Sequence, residues 1–149
     1  MHCVDVNVLV QAAMAAAPEH AVAREWVLRQ RQAPDGLGLF SLVLSGFLRV
    51  TTDRRVFSEP LEASAAMAFI DSLTVSPVVA VLEPGPRHWP LFRSMVLEHR
   101  PSSVDMTDVY LAAAALEINA TWVSFDRGFA RFEGLRWVNP ARRPNAPQK

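Results

Sequence analysis

The sequence predicts an α/β fold in which a short central parallel sheet is flanked by helices. Short apolar segments rich in β-branched residues alternate along the chain with longer segments of helical periodicity. This alternation is typical of parallel sheets, because parallel neighbours need long crossover connections. Ligands of such sheets bind outside the carboxyl ends of the strands, so residues that directly follow a strand are candidates for a functional site.

Four strands are predicted from short apolar runs. Residues 2–9 predict a buried strand that runs into a helix, and the other three strands are predicted at 37–40, 78–82 and 121–125. Helices are predicted from apolar spacing and from polar or proline residues at their starts: 18–31, 41–50 with Ser41 as N-cap, 60–73 with Pro60 at its head, 87–99, and 103–117 with Ser103 as N-cap. Residues 129–137 form an aromatic-rich closing segment.

Length and composition predict one domain over residues 1–140 and a flexible tail over residues 141–149. The chain has 149 residues, half of them hydrophobic, which is enough to bury a core. Its last residues are rich in proline, arginine and asparagine, as frayed termini are. We find neither a signal-peptide pattern nor an apolar window long enough to span a bilayer, so a cytoplasmic protein without a membrane partner is expected.

Charge and cysteine usage narrow the classes of site. Lys plus Arg and Asp plus Glu number 15 each, so any nucleic-acid binding requires a local basic patch instead of bulk charge. A single cysteine, Cys3, excludes a disulfide framework and a cysteine-based zinc site. The four histidines lack the spacing of a zinc motif.

Three aspartates, Asp5, Asp108 and Asp126, stand beside apolar segments. A carboxylate in such surroundings is costly unless it is paired or binds a metal. Each also has a simpler interpretation, as a helix cap or as a first-turn residue favoured by the helix dipole. Their joint position, at strand ends and at a helix start, indicates one acidic site suited to Mg²⁺ or Mn²⁺. Asp105 shares a helix face with Asp108 and is a further candidate ligand, although a capping role is more typical.

Three acidic motifs follow one another along the chain: Asp5-Val6-Asn7-Val8-Leu9, Thr107-Asp108-Val109-Tyr110-Leu111-Ala112-Ala113 and Ser124-Phe125-Asp126-Arg127-Gly128-Phe129. In this order and spacing they resemble the motifs of PIN domains, and more narrowly those of VapC-type toxins of bacterial VapBC toxin–antitoxin systems. The runs at 46–52, 54–57 and 132–140 resemble an actinobacterial branch of that family. The resemblance covers nearly the whole chain.

The resemblance implies a PIN-like three-layer fold and a function. The implied function is that of a type II toxin, a Mg²⁺- or Mn²⁺-dependent endoribonuclease that cleaves cellular RNA and inhibits growth. The implied partners are a cognate VapB-type antitoxin, whose C-terminal segment occupies the toxin groove, and a second copy of the chain in a homodimer. Asp5, Asp108 and Asp126 become the catalytic metal ligands, and Asn7 and Ser124 become supporting polar groups.

Five arginines are candidates for contacts with RNA phosphates: Arg49, Arg54, Arg55, Arg127 and Arg131. Arg49 lies about one helical turn beyond Gly46, which predicts that it points toward the same cleft. For Arg54 and Arg55 a solvated loop face is an equally good interpretation.

Two glycines depart from the family pattern. Gly46 stands where the family usually has its second acidic residue, and Gly128 stands where many relatives have another aspartate. Fewer carboxylates imply weaker metal affinity, a shifted metal preference or a lower rate. The alternative is therefore a degenerate PIN module that binds RNA or antitoxin without cleavage. A third hypothesis, a phosphotransfer domain with Asp5 as nucleophile, usually requires a second aspartate at the position of Asn7.

Overall fold

Five parallel strands form a single sheet in the computed structural model, which describes residues 1–142. The strands are β1 (His2–Val4), β2 (Leu37–Phe40), β3 (Val79–Leu82), β4 (Thr121–Val123) and β5 (Arg136–Val138). Their order across the sheet is β3-β2-β1-β4-β5, and every neighbouring pair is parallel. The helices are α1 (Val6–Ala13), α2 (His20–Gln30), α3 (Ser41–Thr51), α4 (Ala63–Thr74), α5 (His88–His99) and α6 (Met106–Glu117).

The helices form two groups on the two sides of this sheet. In the first group α1 packs against α2 and α3, and α3 packs against α4, whereas in the second group α5 packs against α6. The chain crosses the sheet in one direction from β1 to β3 and then in the opposite direction to β4. Right-handed crossovers therefore place the two helical groups on opposite faces. The predicted three-layer fold is confirmed.

The core lies around the three central strands. Cys3 and Val4 of β1, Trp122 of β4 and Leu39 of β2 are fully buried. Four consecutive alanines of α6, Ala112–Ala115, are also fully buried, and their small side chains let this helix lie close to its neighbours.

The order in which strands are added to the sheet reverses at β1. From β1 the chain continues to β2 on one side, while β4 pairs with the other side of β1. A reversal of this kind opens a crevice outside the carboxyl ends of the two strands. Asp5 directly follows β1, Ser124 directly follows β4, and α6 begins at the same edge because it leads back into β4.

Several element boundaries differ from those predicted. The first strand stops at Val4 because Asp5 caps α1, its carboxylate accepting a hydrogen bond from the backbone N–H of Val6. Ser41 is the first residue of α3, and its N-cap position is taken by Phe40. The helix expected from Ser103 begins at Met106, with Asp105 at the N-cap position.

The end of the chain contains more regular structure than the aromatic-rich segment predicted. β4 ends at Val123, a 3₁₀ helix follows at Arg127–Arg131, and β5 adds an edge strand to β4. Within the described residues no helix is long and apolar enough to cross a membrane. Of the predicted flexible tail, residues 143–149 lie outside the described residues.

A matched pair of leucines tests where the core lies. Leu9 in α1 is fully buried, whereas Leu97 in α5 is 61% exposed. We expect Leu9→Ala to lower the free energy of unfolding by about 2–5 kcal/mol, because it removes buried contacts and leaves a cavity. Leu97→Ala, which makes the same chemical change in a helix, should cost less than about 1 kcal/mol. Urea denaturation followed by circular dichroism measures both, and equal losses would contradict this description of the core.

Candidate active site

Asp5 is the most buried carboxylate at the crevice, with 8% of its surface exposed. Its position is fixed by the backbone, because its N–H donates to the carbonyl of Val123 in β4 at 2.9 Å. One oxygen, Oδ1, accepts from the N–H of Val6 at 2.7 Å. The other, Oδ2, accepts from the Ser124 hydroxyl at 2.6 Å and from the Asn7 amide at 2.7 Å. Asp5 is therefore both the N-cap of α1 and a residue of the acidic crevice.

Ser124 and Asn7 form a polar bridge between the ends of β1 and β4. The Asn7 amide donates to Ser124 Oγ at 2.9 Å, and Asn7 Oδ1 accepts from the N–H of Phe125 at 3.2 Å. Ser124 Oγ also accepts from the N–H of Asp126 at 3.0 Å. Ser124 is fully buried. The two residues predicted as supporting groups thus contact one aspartate by its side chain and another by its backbone.

Burial raises the pKa of Asp5 from its ordinary 3.8 to about 6. Desolvation is the main cause, because a charged carboxylate loses its water. The hydrogen bonds from Ser124 and Val6 act in the opposite direction, and the carboxylates of Asp108 and Asp126 raise the pKa further. The carboxylates of Asp108 and Asp126 therefore lie near enough to Asp5 for their charges to act on it.

Asp108 lies in the first turn of α6, as predicted, with 29% of its side chain exposed. Partial burial raises its pKa, and the Asp126 carboxylate adds to this effect while the Arg131 guanidinium opposes it. Among the described residues no hydrogen-bond donor reaches either oxygen of Asp108, and the nearest cation is Arg131, at 3.9 Å from Oδ2. Its oxygens are therefore available to a ligand.

Asp126 is exposed, in contrast to the buried position that its apolar surroundings suggested. It is the N-cap of the 3₁₀ helix, and its Oδ1 accepts from the N–H of Gly128 at 2.7 Å. The capping interpretation is correct for Asp126. Its side chain still lies near enough to raise the pKa of Asp5 and of Asp108.

Asp105 is engaged with other groups. Its Oδ2 accepts from the Ser102 hydroxyl at 2.6 Å, and its Oδ1 lies 3.5 Å from the Arg131 guanidinium. The hydrogen bond from Ser102, followed by the charge of Arg131, lowers its pKa. It lies within electrostatic range of Asp108, whose pKa it raises.

The five candidate arginines differ in their surroundings. Arg131 contacts Asp105 and approaches Asp108. Arg55 pairs with Asp53 at 2.9 Å on a loop where its side chain is 90% exposed. Arg49, Arg54 and Arg127 are exposed. Of the five, the structure places Arg131 against the carboxylates of the crevice, and the RNA contacts of all five remain predictions.

Gly46 lies in α3 where this helix crosses α1. A Cβ at this position would lie 2.8 Å from Cγ2 of Val6, the residue that follows Asp5. This is closer than van der Waals contact allows, so neither an acidic nor any other side chain fits without movement of Val6. Sequence reasoning noticed the missing acid but not Val6, because the contact joins residues 40 positions apart.

A second buried carboxylate, Glu117, was missed by the sequence analysis. It is 6% exposed, and its oxygens accept from the backbone N–H groups of Gly85 and Arg87 at 2.7 Å each. It lies at the last residue of α6, so the helix separates it from Asp108 by about 14 Å. Its partners are loop amides, and it therefore belongs to the structure of that loop and not to the crevice.

The donor set of the crevice fits a hard divalent cation. Mg²⁺ and Mn²⁺ prefer carboxylate oxygens as ligands, and a divalent ion also relieves the repulsion between neighbouring aspartates. Neither oxygen of Asp108 accepts a hydrogen bond from a described residue. Within residues 1–142, however, no three His, Cys, Asp or Glu side chains lie close enough to ligate one ion as they stand. Binding by all three aspartates therefore requires side-chain movement, for which the exposed Asp126 and the half-buried Asp108 have room.

Comparison with known proteins agrees with this geometry. The PIN domain family model matches residues 2–135. The chain is 49% identical over 140 residues to Ribonuclease VapC43 of Mycobacterium tuberculosis, covering 94% of this chain and 95% of that protein. It is 38% identical over 140 residues to Ribonuclease VapC25 of the same species, covering 94% and 99%.

Solved structures share the fold at low sequence identity. VapBC2 from Rickettsia felis, bound to a DNA fragment from its promoter, superposes with a TM-score of 0.67 at 14% identity, covering 93% of this chain and 97% of that one. VapC20 of Mycobacterium tuberculosis, a toxin that cleaves the sarcin–ricin loop, gives a TM-score of 0.64 at 15% identity and covers 87% and 93%. With its acidic crevice at the switch point of a parallel sheet, this chain belongs to the PIN domain family and, within it, to the VapC ribonucleases.

Proposed function

We propose that this protein is the toxin component of a type II toxin–antitoxin system, a metal-dependent endoribonuclease that cleaves cellular RNA and thereby inhibits growth. The observation that carries the proposal is the convergence of Asp5, Asp108 and Asp126 at one crevice, where the Asp126 carboxylate raises the pKa of both Asp5 and Asp108. Identity of 49% with a VapC ribonuclease over almost the whole chain supports it.

Asp5, Asp108 and Asp126 would hold Mg²⁺ or Mn²⁺. A divalent ion, when bound, polarises a phosphoryl oxygen and lowers the pKa of water at the site. The chain prepares for this by keeping the Asp5 carboxylate oriented through three hydrogen-bond donors. Asp108 adds oxygens that accept no hydrogen bond from a described residue, at the positive end of α6, where the helix dipole favours a carboxylate.

Ser124 and Asn7 act as positioning residues in this scheme. Each donates to Asp5 Oδ2, and Ser124 Oγ also accepts from the backbone of Asp126. Their loss would free the Asp5 side chain to rotate while leaving its charge in place. Outer-shell partners of this kind typically affect metal affinity or activity about 10–100-fold.

The exposed arginines of the predicted set would contact the RNA backbone. Arg49, Arg54, Arg55 and Arg127 have exposed side chains, as contacts with phosphate oxygens require. Guanidinium groups suit such contacts because they donate two parallel hydrogen bonds. Because the net charge of the chain is zero, local arginines of this kind must supply the attraction to RNA.

The proposed partners are a VapB-type antitoxin and a second copy of the chain. Support comes from the structural neighbours, which include VapBC2 from Rickettsia felis and VapBC-1 from Haemophilus influenzae. In such systems the antitoxin restrains the toxin, so the proposed toxic activity is expected in antitoxin-free protein.

The substitution Asp108→Asn tests the proposed function. In purified protein with total RNA and Mg²⁺ or Mn²⁺, we expect cleavage to fall at least about a hundredfold, since a lost ligand should cost more than a lost outer-shell partner. We expect stability to be kept or raised, because the substitution removes a charge that Asp126 repels. Gel analysis of the RNA measures the first effect and thermal denaturation the second.

Two controls accompany this experiment. EDTA should abolish cleavage by the wild-type protein. Asp71→Asn, the same change at an exposed position in α4, should leave cleavage within about twofold of wild type. Wild-type cleavage by Asp108→Asn would refute the site assignment. Folded wild-type protein that cleaves nothing with either metal would indicate the non-cleaving PIN module instead.

The raised pKa of Asp5 predicts that the free energy of unfolding depends on pH when EDTA keeps the protein free of metal. The folded protein holds this proton up to pH about 6, whereas the unfolded chain releases it near pH 3.8. The folded state therefore binds more protons between these values, and this group's contribution to stability decreases as the pH rises from about 4 to 7. The whole decrease corresponds to about 3 kcal/mol.

Urea denaturation from pH 4 to 8 checks this sign. We expect the free energy of unfolding of Asp5→Asn, relative to wild type, to increase across this range, because the amide has no charge to bury. The exposed Asp71→Asn should track wild type throughout. A constant difference between Asp5→Asn and wild type at all pH values would show that Asp5 titrates in the folded protein as it does in the unfolded chain.

The close contact between Gly46 and Val6 predicts that an acid cannot simply be restored. Gly46→Glu alone should lower the free energy of unfolding by about 1–3 kcal/mol, because its Cβ overlaps Val6. Combining it with Val6→Ala should recover at least half of that loss, after allowance for the effect of Val6→Ala alone. Additive losses in the double variant would contradict the steric explanation.

A further inference from the structure

Arg131 occupies a cationic position inside the acidic crevice. Its guanidinium lies 3.5 Å from Asp105 Oδ1 and 3.9 Å from Asp108 Oδ2. In residues 1–142 it is the one Lys or Arg side chain that comes within 4 Å of any of the three proposed ligands. Its charge therefore already offsets part of the repulsion around Asp108.

The position of this guanidinium is defined by packing as well as by charge. Its central carbon lies 4.7 Å from the ring centroid of Phe132, which is 2% exposed and so provides a fixed surface for a cation–π contact. The side chain is nevertheless 39% exposed. A cation held from one side and open to solvent on the other can be displaced without unfolding the segment.

Gly128 lies close to the Arg131 guanidinium, and a side chain at this position would crowd it. A Cβ at this position would lie 3.0 Å from Asp126 Oδ1 and 3.3 Å from Nη1 of Arg131. A side chain here would therefore press on the Arg131 guanidinium and on Asp126 together. At the position where many relatives have another aspartate, this chain has Gly128, and the guanidinium of Arg131 lies next to this glycine.

Asp105 offers the arginine a second carboxylate. It lies outside the proposed ligand set, its Oδ2 is held by Ser102, and its Oδ1 is the closer of the two carboxylate contacts of Arg131. A guanidinium between the two aspartates can remain on Asp105 while Asp108 turns toward another cation. This arrangement gives Asp105 a function that does not require it to bind metal.

We propose that Arg131 is a resident counter-ion of the crevice, which competes with the divalent ion for Asp108 and withdraws onto Asp105 when the ion binds. The inference rests on the proposed function in that it takes Asp108 as a metal ligand. Arg131 would thereby regulate how tightly the crevice binds the divalent ion. Arg131 and Asp105 act as positioning residues in this binding step.

The test is binding of Mn²⁺ to the purified, antitoxin-free protein without RNA. The electron paramagnetic resonance signal of free Mn²⁺ gives the Kd at fixed ionic strength. Arg131→Gln should bind Mn²⁺ about tenfold more tightly than wild type, because a nearby positive charge opposes a divalent ion. A variant that merely damaged the site would bind Mn²⁺ more weakly, so the direction of the change separates the two explanations.

Arg93→Gln is the matched control. It removes the same charge from an exposed side chain of α5 that forms no ion pair with a described residue and has no proposed role at the site. Its effect on the Kd should stay within about twofold. If both variants tighten binding equally, only the overall field matters and the proposed contact has no special role. An unchanged Kd in Arg131→Gln would likewise overturn the inference.

A double-mutant cycle tests the role of Asp105. Asp105→Asn should weaken Mn²⁺ binding more in wild type than in Arg131→Gln, because only in wild type does it leave Arg131 to Asp108 alone. Equal weakening in both backgrounds would reduce Asp105 to a distant charge and overturn its part of the proposal.

Asp108→Asn in the same assay separates this inference from the proposed function. If Asp108→Asn abolishes Mn²⁺ binding while Arg131→Gln leaves the Kd of wild type unchanged, the metal site stands and the counter-ion role fails. If no variant binds Mn²⁺, Arg131→Gln included, both are refuted.

Discussion

The hydrogen bond from Ser124 to Asp5 is the contact on which the rest of the crevice depends. It joins the ends of β1 and β4 across the switch point of the sheet, at 2.6 Å and almost without access to water. Without this donor and the Asn7 amide beside it, a carboxylate in this place would be buried and under-satisfied, which costs several kcal/mol. With them, the orientation of the Asp5 carboxylate is fixed.

The residues around this bond are the part of the site that the sequence predicts. Asp5, Ser124 and Asp126 follow the carboxyl ends of strands, and Asp108 opens a helix at that edge, so the rules of parallel sheets are sufficient to bring them together. Strand length is predicted less well. Asp5 ends β1 early because it caps α1, and β5 was missed because it has three residues and only Trp137 lies partly inward.

The contacts that the sequence did not predict join positions far apart in the chain. Val6 meets Gly46, and Arg131 meets Asp105. Neither pair has a periodic pattern or a local motif, because each depends on how two elements cross. The burial of Asp126 was overestimated for a related reason: an apolar strand before it indicates burial of the strand, whereas the residue after the strand has already turned into an exposed cap.

Packing accounts for both positions where the chain lacks an acid of the family pattern. At Gly46 a Cβ would lie 2.8 Å from Cγ2 of Val6, and at Gly128 a Cβ would crowd Asp126 Oδ1 at 3.0 Å and the Arg131 guanidinium at 3.3 Å. In both places a specific side chain lies against the glycine: Val6 at Gly46 and Arg131 at Gly128. Burial raises the pKa of Asp5, so the charged carboxylate costs stability at neutral pH that a bound cation would offset. The chain thus keeps Asp5, Asp108 and Asp126 at the crevice with fewer carboxylates than the family pattern, and the Arg131 guanidinium balances part of their negative charge.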